Sequence, residues 1–425
     1  MKVIITNPPW IFKQNKFLGK RVGFRAGSRW PLSLPNFRDW RKRYRPYPGF
    51  MGYATTYLQA KGISAKFYDA IGDRDNYKTF FKKIDSFRPD IVIQETSAPT
   101  FDIDLKVAEQ IHNRGYEVCL VGPQATAFAE KLIELPFVDY VLRGAYELSS
   151  LEMAKSKIKG IYEHQFIDFD QLPYPYRDEN IIHNYRDYNC LRNLKFPQLW
   201  MYATRGCVAK CNFCLWVHTM FNRRLSLRKA QGVLDEADNM ITKYNFKHIY
   251  FDDDCWNIGP EERLIEIADG LGKIGIPWTI HARLDTSTKE MFKYFVDKGC
   301  SGFRIGVESL SQRLLDAVNK NLKVEDIIDK INYLKGLNVD LFLLFMHYLP
   351  GETDFDRSEQ NRKIKQLAIP YQNPPCIPFP GTPYYQQLID KGFIPEEKVS
   401  WCEYDGSIVG KNLVGMVRAY SDSFR

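Results

Sequence analysis

Three cysteines share one short stretch, Thr204-Arg205-Gly206-Cys207-Val208-Ala209-Lys210-Cys211-Asn212-Phe213-Cys214. Three thiolates so close together can each ligate one iron of a [4Fe–4S] cubane and leave the fourth iron open to a chelating molecule. The plainer alternative is structural zinc, because His218 follows and would complete a Cys₃His set. Zinc loops of that kind usually replace a missing core, whereas this one is embedded in a stretch rich in core residues. Cys119, Cys190, Cys255, Cys300, Cys376 and Cys402 form no second cluster spacing. Cys255 directly follows Asp254 and could face the site, although a buried, inert thiol is the ordinary reading.

The elements that position this loop form two series. In the first, short apolar segments alternate with helical patterns: strands over 3–6, 64–68, 91–94, 117–121 and 140–142, and helices over 49–61, 77–87, 103–113 and 126–133. That alternation predicts a Rossmann-like (flavodoxin-like) α/β domain over 1–150, with a doubly wound parallel sheet. Such sheets bind ligands at the carboxyl ends of their strands, here Asn7-Pro8-Pro9, Asp69 to Gly72, Thr96-Ser97-Ala98, Gly122-Pro123-Gln124 and Arg143-Gly144. A Pro, Tyr and Asn-rich stretch, 151–194, reads as a linker.

The second series places strands at 199–204, 248–252, 278–283, 302–307, 339–348 and 371–379, each but the last followed by one or two helical patterns. Six such units predict a partial (β/α)6 barrel over 195–385, with its chemistry on the loops after the strands. Residues 386–425 read as a short C-terminal extension, with Trp401-Cys402-Glu403-Tyr404 as its aromatic cluster.

Composition narrows the classes. In 425 residues, 44% hydrophobic and 14% aromatic content suits packed domains and argues against disorder. No apolar run approaches the roughly 18 residues of a membrane span, and the first residues pass straight into a strand pattern. A cytoplasmic protein without membrane contact is expected, and its nine cysteines suit metal ligation better than disulfides. The net charge of +8 is uneven: between Lys13 and Arg45 the only acid is Asp39. That segment could meet an anionic ligand, but a solvated basic loop is the ordinary reading.

The cysteine stretch, with its aromatic Phe213, resembles the signature of the radical S-adenosylmethionine (SAM) enzymes, and the likeness extends along the barrel. Phe251-Asp252-Asp253-Asp254 resembles the second-strand motif that receives the SAM amino group. His281-Ala282-Arg283 and Gly306-Val307-Glu308-Ser309 look like the later motifs around ribose and methionine, and Leu349-Pro350-Gly351-Glu352 matches the turn after the fifth strand. The first domain is similar to the cobalamin-binding domain of the class B radical SAM methylases, through Gly122–Thr126 and Arg143-Gly144-Ala145-Tyr146-Glu147. It departs from that pattern in having no Asp-x-His-x-x-Gly, with Gly-Pro where relatives have Gly-Gly.

The resemblance implies cluster ligation by Cys207, Cys211 and Cys214, and SAM contacts from Phe213, Asp252, Asp253, His281, Arg283, Glu308, Ser309 and Pro350. It implies base-off cobalamin beside Pro8, Asp69, Gly72, Thr96, Ser97, Gly122, Gln124, Arg143 and Gly144, or else a degenerate domain. Asp254 and Tyr348 are the catalytic candidates, and Trp216, His218, Met220 and Trp256 are further substrate candidates. The implied reaction is methylation of an unactivated carbon through a 5′-deoxyadenosyl radical and methylcobalamin, with a flavodoxin or ferredoxin as electron donor. A compact C-terminal extension would leave the barrel mouth open to a peptide or protein, for example a glutamine of methyl-coenzyme M reductase; a small molecule is the other substrate class. The alternatives are a cobalamin-dependent cyclase or rearrangement enzyme and a zinc-stabilised protein binding nucleic acid through its basic segment; nucleic acid is not the expected partner.

Overall fold

The computed structural model describes residues 1–15, 19–35, 44–187 and 191–394, and two short strands at 404–405 and 408–409; the side chains of 12–21 and 32–43 are not included. Cys190 and Cys402 lie outside the described residues.

The chain opens with β1 (Lys2–Asn7) and then an antiparallel ribbon that the sequence reading did not foresee: β2 (Ile11–Asn15), β3 (Gly19–Ala26) and β4 (Arg29–Pro35). Helix α1 (Gly49–Ala60), β5 (Ser64–Asp69), α2 (Tyr77–Phe87), β6 (Ile91–Glu95), α3 (Phe101–His112) and β7 (Glu117–Val121) follow. The expected helix over 126–133 is instead two short ones, α4 (Pro123–Ala127) and α5 (Ala129–Ile133), before β8 (Tyr140–Leu142). Helix α6 (Glu147–Ser156) and β9 (Gly160–Tyr162) complete the unit, so the first sheet draws its sixth strand from the expected linker.

That sheet is parallel, in the order β5-β1-β6-β7-β8-β9. Both faces are buried, as the unbroken apolar strands require. Ile4, Val92, Val118 and Leu120 pack toward α2, α3 and α5. Val3, Ile5, Ile91 and Ile93 pack toward α1 and against Trp200, Met220, Phe221 and Tyr250 of the second domain. The doubly wound expectation holds.

The second domain starts with β10 (Gln198–Met201), β11 (Thr204–Arg205), α7 (Leu215–Thr219), β12 (Ser226–Leu227), α8 (Ala230–Tyr244) and β13 (His248–Phe251). Then come α9 (Glu261–Ile274), β14 (Trp278–Ala282), α10 (Lys289–Asp297), β15 (Cys300–Glu308), α11 (Gln312–Ala317) and α12 (Val324–Lys335). Strand β16 (Asp340–Phe345), α13 (Asp354–Leu367), β17 (Tyr371–Gln372) and α14 (Pro383–Asp390) close the described domain. Its sheet runs β10-β13-β14-β15-β16-β17, all parallel and in chain order, as an open partial barrel demands.

Strand alternation sorts this sheet's residues by chemistry. One face carries Leu199, Ile249, Ile280, Ile305 and Leu343 into the core beneath the helices. The other carries Trp200, Tyr250, His281 and Arg304 at neighbouring register positions, giving the barrel a polar, aromatic inner face.

Candidate functional site

The cysteine loop leaves β11 at Gly206, whose φ of 79° and whose approach to the Arg224 carbonyl exclude a side chain. Cys207 and Cys211 are buried and Cys214 half-buried, whereas Val208 at the loop's edge is 59% exposed. The neighbouring Cys255 thiol pulls the Cys207 thiol down to about 6, against burial and with help from the Ala209 amide and Arg283. Burial pushes Cys214 up to about 12. Arg283 Nη1 stands 3.8 Å from Cys211 Sγ, while its other nitrogens hold Asp285 and the Lys320 carbonyl. A guanidinium beside a thiolate offsets negative charge, so the donor set suits a three-cysteine iron–sulfur cluster.

His218 Nε2 lies 3.1 Å from the Cys211 carbonyl oxygen, which ties the imidazole to the cysteine loop. Among the described residues no group of three His, Cys, Asp or Glu side chains is gathered around a single point.

The three aspartates after β13 divide their work. Asp253 accepts from the Ala203 amide at 2.9 Å and the Thr204 hydroxyl at 2.7 Å, fixing the chain just ahead of the cysteines; burial raises it to about 7. Asp254 accepts from the Gly206 amide at 3.1 Å and so faces the cysteine loop itself. Asp252 points along the inner face, taking Tyr202 Oη at 2.7 Å and the Trp30 indole N–H at 2.9 Å, and burial raises it to about 6.

The remaining expected SAM residues flank this group on both sides. Phe213 packs with Met346, Tyr348 and Leu349. Glu308, at φ 66°, pairs with the buried Lys320 at 2.9 Å. The Ser309 hydroxyl binds Gln360 at 2.8 Å, Pro350 is buried in the turn, and the Glu352 carboxylate accepts from the Tyr348 and Leu349 amides. His281 is bonded to Tyr250 and stacked under Trp30. Burial and the nearby Arg29 hold its imidazole down at about 3. Met220 and Trp256 are core residues, whereas Trp216 packs on Phe50 and on the guanidinium of Arg29.

Within the segment expected to be a solvated basic loop, the described residues Arg25 to Arg29 form a buried wedge. Arg25 Nη1 and Nη2 grip Asp104 at 2.8 and 2.9 Å, and its Nε donates to Asn7 at 2.8 Å. Gly27–Ser28 turn the ribbon over the strand ends: Ser28 lies against Glu95, and a Cβ on Gly122 would meet it at 3.0 Å. Arg29 and Trp30 then cross to the barrel. The ribbon's tip thus reaches the strand ends of the barrel at Asp252, Asp254 and His281. The side chains of Lys13, Lys16, Lys20, Arg21, Arg38, Arg41, Lys42 and Arg43 lie outside the described set.

The strand order reverses between β1 and β6, and ligands of doubly wound sheets lie in the crevice at that switch point. Here Arg25 fills it. Pro8 is buried at the end of β1. Asp69 spends its oxygens on Asn7 and Tyr185, both at 2.9 Å, and Gly72 is packed between Asp69 and Tyr185. Thr96 binds the Val121 carbonyl, Ser97 joins the Arg25 network, Arg143 pairs with Glu130 and Glu163, and the Gly144 amide donates to Thr126. Of this set, Gln124 Nε2 and Arg143 Nε are buried side-chain nitrogens without a hydrogen-bond partner among the described residues. An open cleft of about 490 Å³ runs between the domains, lined by Phe128, Lys131, His218, Gly381 and Tyr385.

Several site residues escaped sequence reasoning. Arg29 and Trp30 sit more than 200 residues from the aspartates they touch. Lys320 lies in an unremarkable Asn-Lys-Asn loop. Arg304, inside the barrel, binds Tyr250 and the former linker's Asp187. The turn Gly27–Ser28 between alternating runs is a hairpin signal that could have revealed the ribbon.

A cysteine loop at the strand ends of a partial parallel barrel, with a doubly wound domain facing it, defines a class. Residues 201–359 match the Radical SAM superfamily, so the second domain is a radical SAM domain, and the two-domain fold is shared with solved cobalamin-dependent SAM radical enzymes. The chain is 25% identical over 366 residues to an uncharacterized methyltransferase of Pyrococcus horikoshii, covering 80% of this chain and 77% of that one. It is also 25% identical over 382 residues to the anaerobic magnesium-protoporphyrin IX monomethyl ester cyclase of Cereibacter sphaeroides, across 81% of this chain but only 60% of the cyclase. Among solved structures, the radical SAM methyltransferase TsrM from Kitasatospora setae aligns with a TM-score of 0.66 at 14% identity, over 92% of this chain and 76% of that one. The cobalamin-dependent SAM radical enzyme OxsB aligns with a TM-score of 0.66 at 16% identity, over 98% and 66%. Among the described residues no helix is long and apolar enough to cross a membrane.

Proposed function

We propose that this chain is a cobalamin-dependent radical SAM C-methyltransferase acting on an unactivated carbon. The observation that carries the reading is the cysteine loop on β11, with Arg283 beside Cys211 and the Asp254 carboxylate turned to the same loop. In this reading Cys207, Cys211 and Cys214 hold the cluster, and Asp254 receives the SAM amino group with Asp252 and Asp253 behind it. Phe213, His281, Arg283, Glu308, Ser309 and Pro350 frame the rest of SAM. When bound, the cluster and SAM supply a 5′-deoxyadenosyl radical and cobalamin carries the methyl group. The protein orients these groups and excludes water. Cobalamin is base-off, as the family resemblance implies, and without a histidine from Asp-x-His-x-x-Gly, which the chain lacks. A low-potential flavodoxin or ferredoxin meets the exposed loop edge at Val208 and Lys210, and the chain works in the cytoplasm.

The relatives' names include both methyltransferases and a cyclase, so the substrate is taken as a peptide side chain or a small molecule. A glutamine peptide of methyl-coenzyme M reductase is one assay arm. A second reading, a radical SAM enzyme whose first domain has lost its corrin, is favoured by Arg25 in the switch-point crevice. One experiment separates them: anaerobic purification and reconstitution, a count of iron and corrin, and mass spectrometry of products made with methyl-deuterated SAM. About four irons per chain, bound corrin and transferred label are expected. Deoxyadenosine without label or corrin selects the second reading; stoichiometric zinc without iron overturns both.

A further inference from the structure

We infer that Arg29, carried by the first domain's ribbon, is a positioning residue for Asp254 and completes the barrel's site across the domain boundary. The inference rests on the radical SAM reading only in giving Asp254 its role toward SAM.

The Arg29 side chain is 3% exposed. Its guanidinium packs against the rings of Trp216, at 4.8 Å, and Trp30, at 5.3 Å. Its Nη2 stands 3.2 Å from Asp254 Oδ1 and 3.4 Å from the Asp252 carbonyl, and its Nε is 3.8 Å from Asp252 Oδ2. The other oxygen of Asp254 accepts from the amide of Gly206, the residue before Cys207. Asp254 is therefore held at both ends, by a cation from one domain and by the cysteine loop of the other.

Two carboxylates this close and this buried repel one another, and the cation between them offsets that repulsion and holds both in place. The described ion pairs of Asp252 and Asp254 are both with Arg29. Trp30 reinforces the clamp from an unusual backbone position: at φ 51° its indole N–H reaches both oxygens of Asp252 while the ring stacks on His281, centroids 5.6 Å apart. L-residues rarely adopt that backbone region, and such outliers concentrate at functional sites. Four residues earlier, Arg25 anchors the ribbon in the first domain through a bidentate buried pair, so the clamp is built on a rigid base rather than on a free loop.

The test uses the full chain with Arg29→Gln and Arg29→Lys. In the unreconstituted protein, hydrogen exchange at the Gly206 amide should accelerate at least about tenfold in Arg29→Gln and recover part of its protection in Arg29→Lys, with the first domain's sheet unchanged. In the reconstituted protein, the SAM KM should rise at least about tenfold in Arg29→Gln, with kcat for SAM cleavage and iron content within about threefold of the parent. That is the signature of lost ground-state positioning. Unchanged Gly206 exchange together with an unchanged SAM KM overturns the proposal. Should Arg29→Gln fail to fold, Arg29→Lys, which keeps the charge but not the fork, carries both measurements against the same limits. If the parent holds no iron–sulfur cluster, the radical SAM reading falls, while the exchange arm still reports on Arg29.

Discussion

Both sheets of this protein present the carboxyl ends of six parallel strands, yet they finish them in opposite ways. The first sheet's ends are sealed by the chain's own ribbon, with Arg25 locked to Asp104 and Asn7 and with Ser28 over Glu95. The second sheet's ends carry a cysteine loop whose thiols are shielded but whose edge, at Val208, reaches solvent. Sealing satisfies polar groups and stabilises; an accessible loop leaves donors to be satisfied by something that is not protein. The ribbon tip is where the two solutions meet, since Arg25 belongs to the sealed face and Arg29 to the open one.

The largest test of this contrast is Cys211→Ala. Iron should fall to background and SAM cleavage to the detection limit, while circular dichroism and the first domain's exchange protection stay as in the parent. Retained iron would place the cluster elsewhere.

Next is Arg25→Met, which leaves Asp104 charged and unpaired in the core. A loss of about 3–5 kcal/mol by chemical denaturation is expected, and a loss below about 1 kcal/mol would mean that the ribbon is not an anchored part of the fold.

The sealed face also predicts a pH dependence. Burial raises Glu95 to about 7, only partly opposed by Tyr146, Ser28 and Arg25. The folded chain therefore keeps this proton at pH values where the unfolded chain has released it, and stability falls as pH rises from about 4.5 to 7. Glu95→Gln should remove up to about 3 kcal/mol of that slope, seen as a flatter plot of unfolding free energy against pH. An unchanged slope would show that Glu95 is ionised in the fold.

The smallest effect belongs to Gly206→Ala. A Cβ there would stand 2.0 Å from the Arg224 carbonyl, at a φ of 79° that alanine resists. A cost of about 1–3 kcal/mol is expected, with reduced iron content and an undisturbed first domain. Full iron content at parental stability would show that the loop tolerates a shift.

Elements were legible where local chemistry marks their ends. Helix α2 begins where Asn76 accepts from the Thr79 amide, and its range is the one the sequence predicts; α13 likewise begins where Thr353 and Asp356 form a reciprocal capping box. Strand β7 was equally plain, as an apolar run between turn residues. The ribbon was not, because its strands mix Lys, Arg and Gly, and charge along a strand reads as solvent-facing unless the partner is known. Strand β9 was missed for a related reason: three residues carry no periodicity of their own and become a strand only against β8.

For the site, the sequence by itself singled out the three cysteines, the aspartates and the order of strand-end motifs, because their spacing lies within single loops. Only the tertiary structure decided that Asp253 is spent on the backbone ahead of the cysteines, that Asp254 faces them, and that Arg29 comes across the domain boundary to hold it. The physical reason is that a carboxylate's role is set by which cation and which amides surround it once water is excluded. Those partners lie far away in the chain.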